Sequence, residues 1–268
     1  MSESAKPGLF CDADVKRRSR RLTRRSFLTG GVLAAAGVAG WNWLRQCSPE
    51  DGVPWPARWV LQLNERLAMT LFSDARLAHT YDRSRAAEEP RVNGRIGLHR
   101  PIDAAAWRLR VEDASGRNMS LSLDDITKLP RTEMVTELRC IEGWAEIIHW
   151  GGTPLRDFLA HHRFGTRSGD ALDPQRHSAD LWPYVSLATP DQDYYVGLDI
   201  GSALHPQTLL CWEMNGQPLP ANHGAPLRLV IPVKYGIKNI KRIGLIRFQD
   251  KQPSDYWGER GYDWYAGL

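Results

Sequence analysis

A chain of 268 residues, 42% hydrophobic, 25% charged and 9% aromatic, is long enough for one large domain or two small ones. Its composition argues against a disordered, collagenous or many-times membrane-spanning protein. The net charge of +4 sits at one end: residues 1–26 carry eight basic side chains against three acidic ones. The remaining body has no basic excess, so a nucleic-acid partner loses its main support.

The basic run ends in Thr23-Arg24-Arg25-Ser26-Phe27-Leu28-Thr29 and passes into a mildly apolar, Gly- and Ala-rich stretch over residues 30–44. Paired arginines, then Phe-Leu, then weakly hydrophobic small residues resemble a twin-arginine export signal. That route carries folded proteins, so the resemblance implies a periplasmic protein whose cofactor is inserted before export. The stretch Gly37-Val38-Ala39-Gly40 offers a peptidase site, whereas Trp41, Trp43 and Leu44 lengthen the apolar run toward the ~18 residues a membrane span needs. Residues 1–45 are expected to be a signal or a retained N-terminal membrane anchor, and residues 50–268 the folded domain.

Residues 50–59 are turn-rich, and residues 59–72 place apolar side chains at helical spacing. Residues 73–100, polar and rich in Arg, read as an irregular covering arm. A strand is predicted over 107–111, then a short helix capped by Ser122 and ended by Pro130, then a strand over 134–139 that delivers Cys140. A helix follows over 153–160, with Pro154 early in it. Further strands are predicted over 184–188, 208–213, 227–232 and 240–248. Strands dominate and helices are short, so the fold class is α+β, mixed β-sheets with short helices, rather than a regular βαβ winding.

Of the cysteines Cys11, Cys47, Cys140 and Cys211, only the last two lie well inside this body. The absence of a CxxC pair argues against zinc ribbons, iron–sulfur clusters and a disulfide scaffold. A Cys140–Cys211 disulfide stays open in an exported protein. Neither GxGxxG nor GxxxxGK[ST] occurs, so nucleotide binding by those devices is unsupported.

Two constellations carry chemistry. In Glu137-Leu138-Arg139-Cys140-Ile141-Glu142-Gly143-Trp144, a cysteine ends a strand beside an Arg and before a Gly turn. That placement can present a sulfur of lowered pKa to a pocket walled by Trp144; a lone cysteine is more often a small core residue. From His223 to Lys241, a Gly-bounded loop offers backbone N–H groups, and Arg228, Lys238 and Lys241 offer charge to an anion such as a phosphate. A plain connecting loop with solvated lysines has the same composition.

RCIEGW around Cys140, the helix start Thr153-Pro154-Leu155, HGAPLRLVIP from His223 and KYGIKNIKRI from Lys234 resemble the molybdenum-pterin domain of the sulfite oxidase family. Within that family they are most similar to the periplasmic protein-methionine-sulfoxide reductase type, over roughly residues 50–268. The resemblance implies a sulfite oxidase-type fold and a molybdenum–molybdopterin cofactor. By position, Cys140 matches the thiolate that ligates the metal, a soft donor. Thr189 matches a pterin-contacting threonine, and Arg228 with Asn239, Ile240 and Lys241 matches the segments that hold the pterin and its phosphate. His223 stands where the reductase type carries Asn and other members carry His. Tyr81 matches a pterin contact in the arm more loosely, with simple packing as the alternative.

Glu142 matches an acidic residue near the metal, able to handle a proton during oxygen-atom transfer; its structural alternative is a Glu bonded to backbone N–H groups. Sulfite-oxidising members carry an Arg five positions after the cysteine, where this chain has Ala145. No haem-binding CxxCH occurs, so electrons must come from or go to another protein, which the resemblance implies to be a membrane haem electron-transfer protein. The implied reaction is reduction of S-oxides or N-oxides, small or protein-bound. Its rivals are sulfite dehydrogenation and a catalytically silent module that binds a cofactor or a partner.

Overall fold

The computed structural model describes residues 12–50, 53–172 and 179–268, residues 12–22 and 50 by their backbone alone. Cys11 and the first residues of the expected signal lie outside the described residues. Contacts divide the chain into two units, Met1–Arg58 and Trp59–Leu268.

The first unit holds helix α1, Asp12–Gln46, and a short ladder pairing Pro49 with Pro54 and Glu50 with Val53. Within α1 the segment Thr23–Gln46 is long and apolar enough to cross a membrane by length and composition, a test that a signal sequence also meets. Phe27, Leu28, Val32, Leu33, Val38, Trp41 and Trp43 are all exposed along it.

Helix α2, Trp55–Leu71, begins inside the stretch predicted as a turn-rich lead. Pro56 permits this, because its missing N–H costs nothing in a first helical turn. The arm over residues 73–100 holds one 3₁₀ turn, Arg83–Arg85, and an isolated bridge from Thr80 to Thr136. There follow β1 (Leu109–Asp113), β2 (Asn118–Leu121), α3 (Leu123–Thr127), β3 (Thr132–Arg139), β4 (Ala145–Pro154) and α4 (Leu155–His162). The chain then forms β5 (Tyr184–Ala188), β6 (Tyr195–Asp199), α5 (Ile200–Leu204), β7 (Leu209–Met214), β8 (Gln217–Pro218), β9 (Arg228–Val230) and β10 (Leu245–Gln249).

One antiparallel sheet runs β8-β7-β4-β3, with β9 also paired to β7. The other runs β2-β1-β10-β5-β6, and β10 lies parallel to β1. These mixed sheets with short helices are the predicted α+β architecture. A large core including Leu109, Phe158, Leu187, Leu229 and Phe248 fills the body, and a smaller cluster of Met134, Ile148, Trp150, Leu209 and Val230 lies on the first sheet. Ser122 forms the predicted cap as part of a capping box with Asp125.

Four strands escape the sequence reading, β2, β4, β6 and β8. In β4 the pair Gly151-Gly152 breaks the alternation that marks a strand; here it forms a bulge. A Cβ on Gly152 would sit 2.1 Å from Leu210 O, so only glycine lets β4 and β7 approach this closely. The strand predicted over 240–248 is confined to β10. Residues before it bond to the loops instead, Arg242 N–H to Gly224 O at 3.1 Å and Ile243 N–H to Leu227 O at 2.9 Å. Cys140 and Cys211 are separate free thiols, so the disulfide left open above does not form.

Candidate functional site

Strands β3 and β4 form a hairpin whose register ends at Arg139 opposite Ala145. Residues 140–144 make its turn: Cys140 N–H donates to Trp144 O at 2.9 Å and Gly143 N–H to Cys140 O at 3.1 Å. Gly143 takes φ +90°, a conformation that a side chain resists. Because successive strand residues point to opposite faces, Leu138 and Cys140 open onto one cavity of about 340 Å³, and Glu137 and Arg139 onto another.

The arm forms the wall beside Cys140. Asn93 Nδ2 lies 3.7 Å from Cys140 Sγ and 3.4 Å from Glu142 Oε2. Trp144 Nε1 donates to the same carboxylate oxygen at 2.9 Å, and the Arg91 guanidinium lies 4.8 Å from the Trp144 ring centroid. Glu142 is thus held by side-chain donors rather than by the backbone N–H groups of the structural alternative.

His223, Arg228, Asn239 and Lys241 also line this cavity. The 3₁₀ turn Ala221–His223 closes on Gly224, at φ +106°, where a Cβ would sit 2.7 Å from Lys241 Cβ. Glycine is therefore needed for the loop to lie against Lys241. Arg228, buried on β9, donates to His223 O at 3.1 Å and Asn239 O at 3.3 Å, and its guanidinium lies 4.8 Å from the Trp150 ring centroid. Its Nε has no partner among the described residues. Lys241 Nζ donates to Asn93 O at 2.6 Å, Asn222 O at 3.0 Å and Gly94 O at 3.2 Å. Asn239 accepts from Ile231 N–H at 2.8 Å and so braces the loop.

Burial sets the charge of this wall. It pulls Arg228 down to about 10. Burial, then the neighbouring Arg228, pulls Lys241 down to about 8. His223 falls to about 4, chiefly by burial and then by Arg228 and Lys241, so its imidazole is neutral at neutral pH. Two crowded cations, one with an unsatisfied donor, form a site that an anionic group would stabilise.

Cys140, Glu142, His223, Arg228, Asn239 and Lys241 therefore come together, and other predicted residues do not. Tyr81 lies on the second cavity, because its N–H donates to Val135 O and the arm there runs beside Glu137 and Arg139. Thr189 is buried, donates to Asp191 Oδ1 at 2.6 Å and packs under Gly97, where a Cβ would meet its Cγ2 at 2.4 Å. Ile240 belongs to the large core. Lys238, read as a cation for an anionic ligand, is fully buried and donates to Asp255 Oδ2 at 2.5 Å and Gly197 O at 2.8 Å. Arg91 and Asn93 escaped the sequence reading; the Asn93-Gly94 turn, with Gly94 at φ +72°, is the signal that could have marked them.

A thiol and two crowded cations on the wall of one cavity form a site suited to an anionic cofactor. The pattern of the oxidoreductase molybdopterin binding domain matches residues 97–257, and the chain belongs to that family, the sulfite oxidase family. It is 32% identical over 250 residues to a protein of Azospira oryzae provisionally named protein-methionine-sulfoxide reductase subunit YedZ1, covering 92% of this chain and 87% of that one. It is 33% identical over 268 residues to the protein-methionine-sulfoxide reductase catalytic subunit MsrP of Xanthomonas axonopodis pv. citri, covering 92% and 74%. Among solved structures it resembles the sulfane dehydrogenase SoxCD from Paracoccus pantotrophus, with a TM-score of 0.47 and 17% identity over 57% of this chain and 40% of that one. The protein is a molybdopterin-binding oxidoreductase. The unpartnered Arg228 Nε and the Cys140 sulfur fit such a cofactor.

Proposed function

We propose that this oxidoreductase carries molybdenum on its molybdopterin, ligated by Cys140, and reduces S-oxides or N-oxides, small or protein-bound. The observation that carries the reading is the Cys140 thiol on the wall of the cavity that Arg228 and Lys241 also line. The names of its relatives support a sulfoxide as substrate. The bound metal supplies two-electron oxygen-atom transfer. The chain's own residues do the rest: Arg228, Asn239 and Lys241 hold the anionic tail, and neutral His223 offers a hydrogen bond without adding charge. Trp144, under Arg91, screens one side from water. Glu142 Oε2 is occupied by Trp144 and Asn93, which leaves Oε1 to hold or release a proton.

Arg24 and Arg25 at the start of the membrane-length segment Thr23–Gln46 support export by the twin-arginine route, with residues 1–45 as signal or anchor and residues 50–268 as the enzyme domain. A membrane haem protein then supplies the electrons.

Metal analysis of the Cys140→Ser variant tests the core of the reading. We expect intact folding, loss of most molybdenum and at least ~10²-fold lower dye-driven oxide reduction, because a hydroxyl is a harder and poorer donor than a thiolate. Full metal content with full activity would remove Cys140 from the site. A second reading, sulfite oxidation, draws on Arg91, which gives the cavity a cation that Ala145 cannot. A kcat/KM for sulfite above that of every oxide, lost in Arg91→Ala, would favour it.

A further inference from the structure

Beyond the cavity, helix α2 is built inside out. Leu61, Glu65 and Ala68, with Phe72 just after the helix, are half-buried, and Phe72 packs on His205 and Tyr265 at ring separations of 5.9 and 6.5 Å. The opposite side is apolar and uncovered: Trp59 is 59% exposed, Val60 47%, Leu63 41%, Leu67 51% and Leu71 64%. On a helix of ~3.6 residues per turn these side chains fill a continuous sector about 120° wide. A soluble helix normally buries such a sector. Thr70 is the one polar side chain within it, and its hydroxyl already donates to Arg66 O at 2.7 Å, so apolar surroundings leave it satisfied. The sector is edged by exposed Asn64 and Arg66, while the helix's acid, Glu65, points away.

Three features select the occupant. The face runs unbroken from Trp59 to Leu71, which lies at the rim of the second cavity, and such a length suits a smooth apolar layer. Along the helix its edge carries Arg66 while Glu65 lies on the other side, which complements anionic headgroups. The chain from Gln46, where the membrane-length segment ends, to Trp59 reaches at most ~45 Å, and Trp59, of a residue type that favours the headgroup layer, stands at the near end. We infer that the outward face of α2 is a membrane-docking surface that lies in the headgroup layer of an anionic lipid bilayer. Trp59, Leu63, Leu67 and Leu71 enter the acyl boundary, and Arg66 meets the headgroups. This holds the enzyme where a membrane electron donor works; it rests on the proposed retention of α1 as an anchor.

The test uses the full-length, cofactor-loaded chain reconstituted in vesicles of phosphatidylcholine and phosphatidylglycerol. The photo-reactive residue p-benzoylphenylalanine replaces Leu63, Leu67 or, as a control, exposed Asn118 on β2. Mass spectrometry after irradiation should find lipid adducts at 63 and 67 well above those at 118. No excess over the control, or adducts chiefly to a second copy, would overturn the inference, as would adducts in cells chiefly to another membrane protein. Alkaline carbonate extraction is read separately: release of the chain sinks the anchor reading, whereas the adducts judge the docking face. The variant Leu63→Ser with Leu67→Ser should keep its thermal midpoint and its activity on a soluble oxide. A fall of roughly 10 °C or more would make the stripe part of the fold and also overturn the inference.

Discussion

Crowding of positive charge in a desolvated wall makes the cavity selective. Arg228, Lys241 and His223 are all depressed by burial, so the wall gains stability from a bound anion. Lys241→Glu replaces a cation with a repelling carboxylate and should lower pterin retention about ten- to a hundredfold, the worth of a charge-assisted hydrogen bond; pterin fluorescence after oxidative release measures it. Lys241→Arg should retain most of the pterin. Glu142→Gln keeps the acceptor for Trp144 and Asn93 but cannot carry a proton, so kcat for oxide reduction should fall by ~10² with KM little changed. An unaltered pH–rate profile would leave Glu142 a structural role only. The residues legible in the sequence at this scale, Cys140 and Glu142, lie on one tight turn whose geometry is local. Thr189, Ile240 and Tyr81 lie off the Cys140 cavity, because side-chain direction depends on pairing: Tyr81 follows the outer face of β3 through its bond to Val135.

At the scale of elements, the loop after β9 carries a second buried cation. Lys234 is buried, lies 3.8 Å from Asp199 Oδ1 and is pulled down to about 7, chiefly by burial. Its unfolded value is the ordinary 10.5, so between about pH 7 and 10.5 the unfolded chain holds a proton that the folded chain has shed. Stability must therefore rise with pH through that window, by at most about 1.4 kcal/mol per unit, and fall back as pH drops toward 7. Chemical denaturation at pH 7 and 9 should show wild type gaining on Lys234→Met; equal slopes would mean that Lys234 keeps its proton. Helix α3 and strand β3 were legible because a cap and an alternating run are short-range signals. Strand β4 was not, since its glycines serve a close approach to β7 that exists only after the sheet forms.

For the whole molecule, export and assembly can be separated by experiment. Arg24→Lys with Arg25→Lys keeps the charge but removes the paired guanidinium groups. On the twin-arginine proposal it should leave a folded, pterin-loaded protein in the cytoplasm; normal accumulation outside would defeat that route. By itself the sequence determined the α+β class, the family and the place of Cys140, because composition, alternation and contiguous motifs all act over a few residues. Only the tertiary structure decided which groups share the cavity. Asn93 O meets Lys241 Nζ at 2.6 Å across most of the chain's length, and Lys238, close to Lys241 in sequence, turns away to Asp255. The direction of each of these side chains is set by the loops and strands packed around it, and no local pattern encodes that packing.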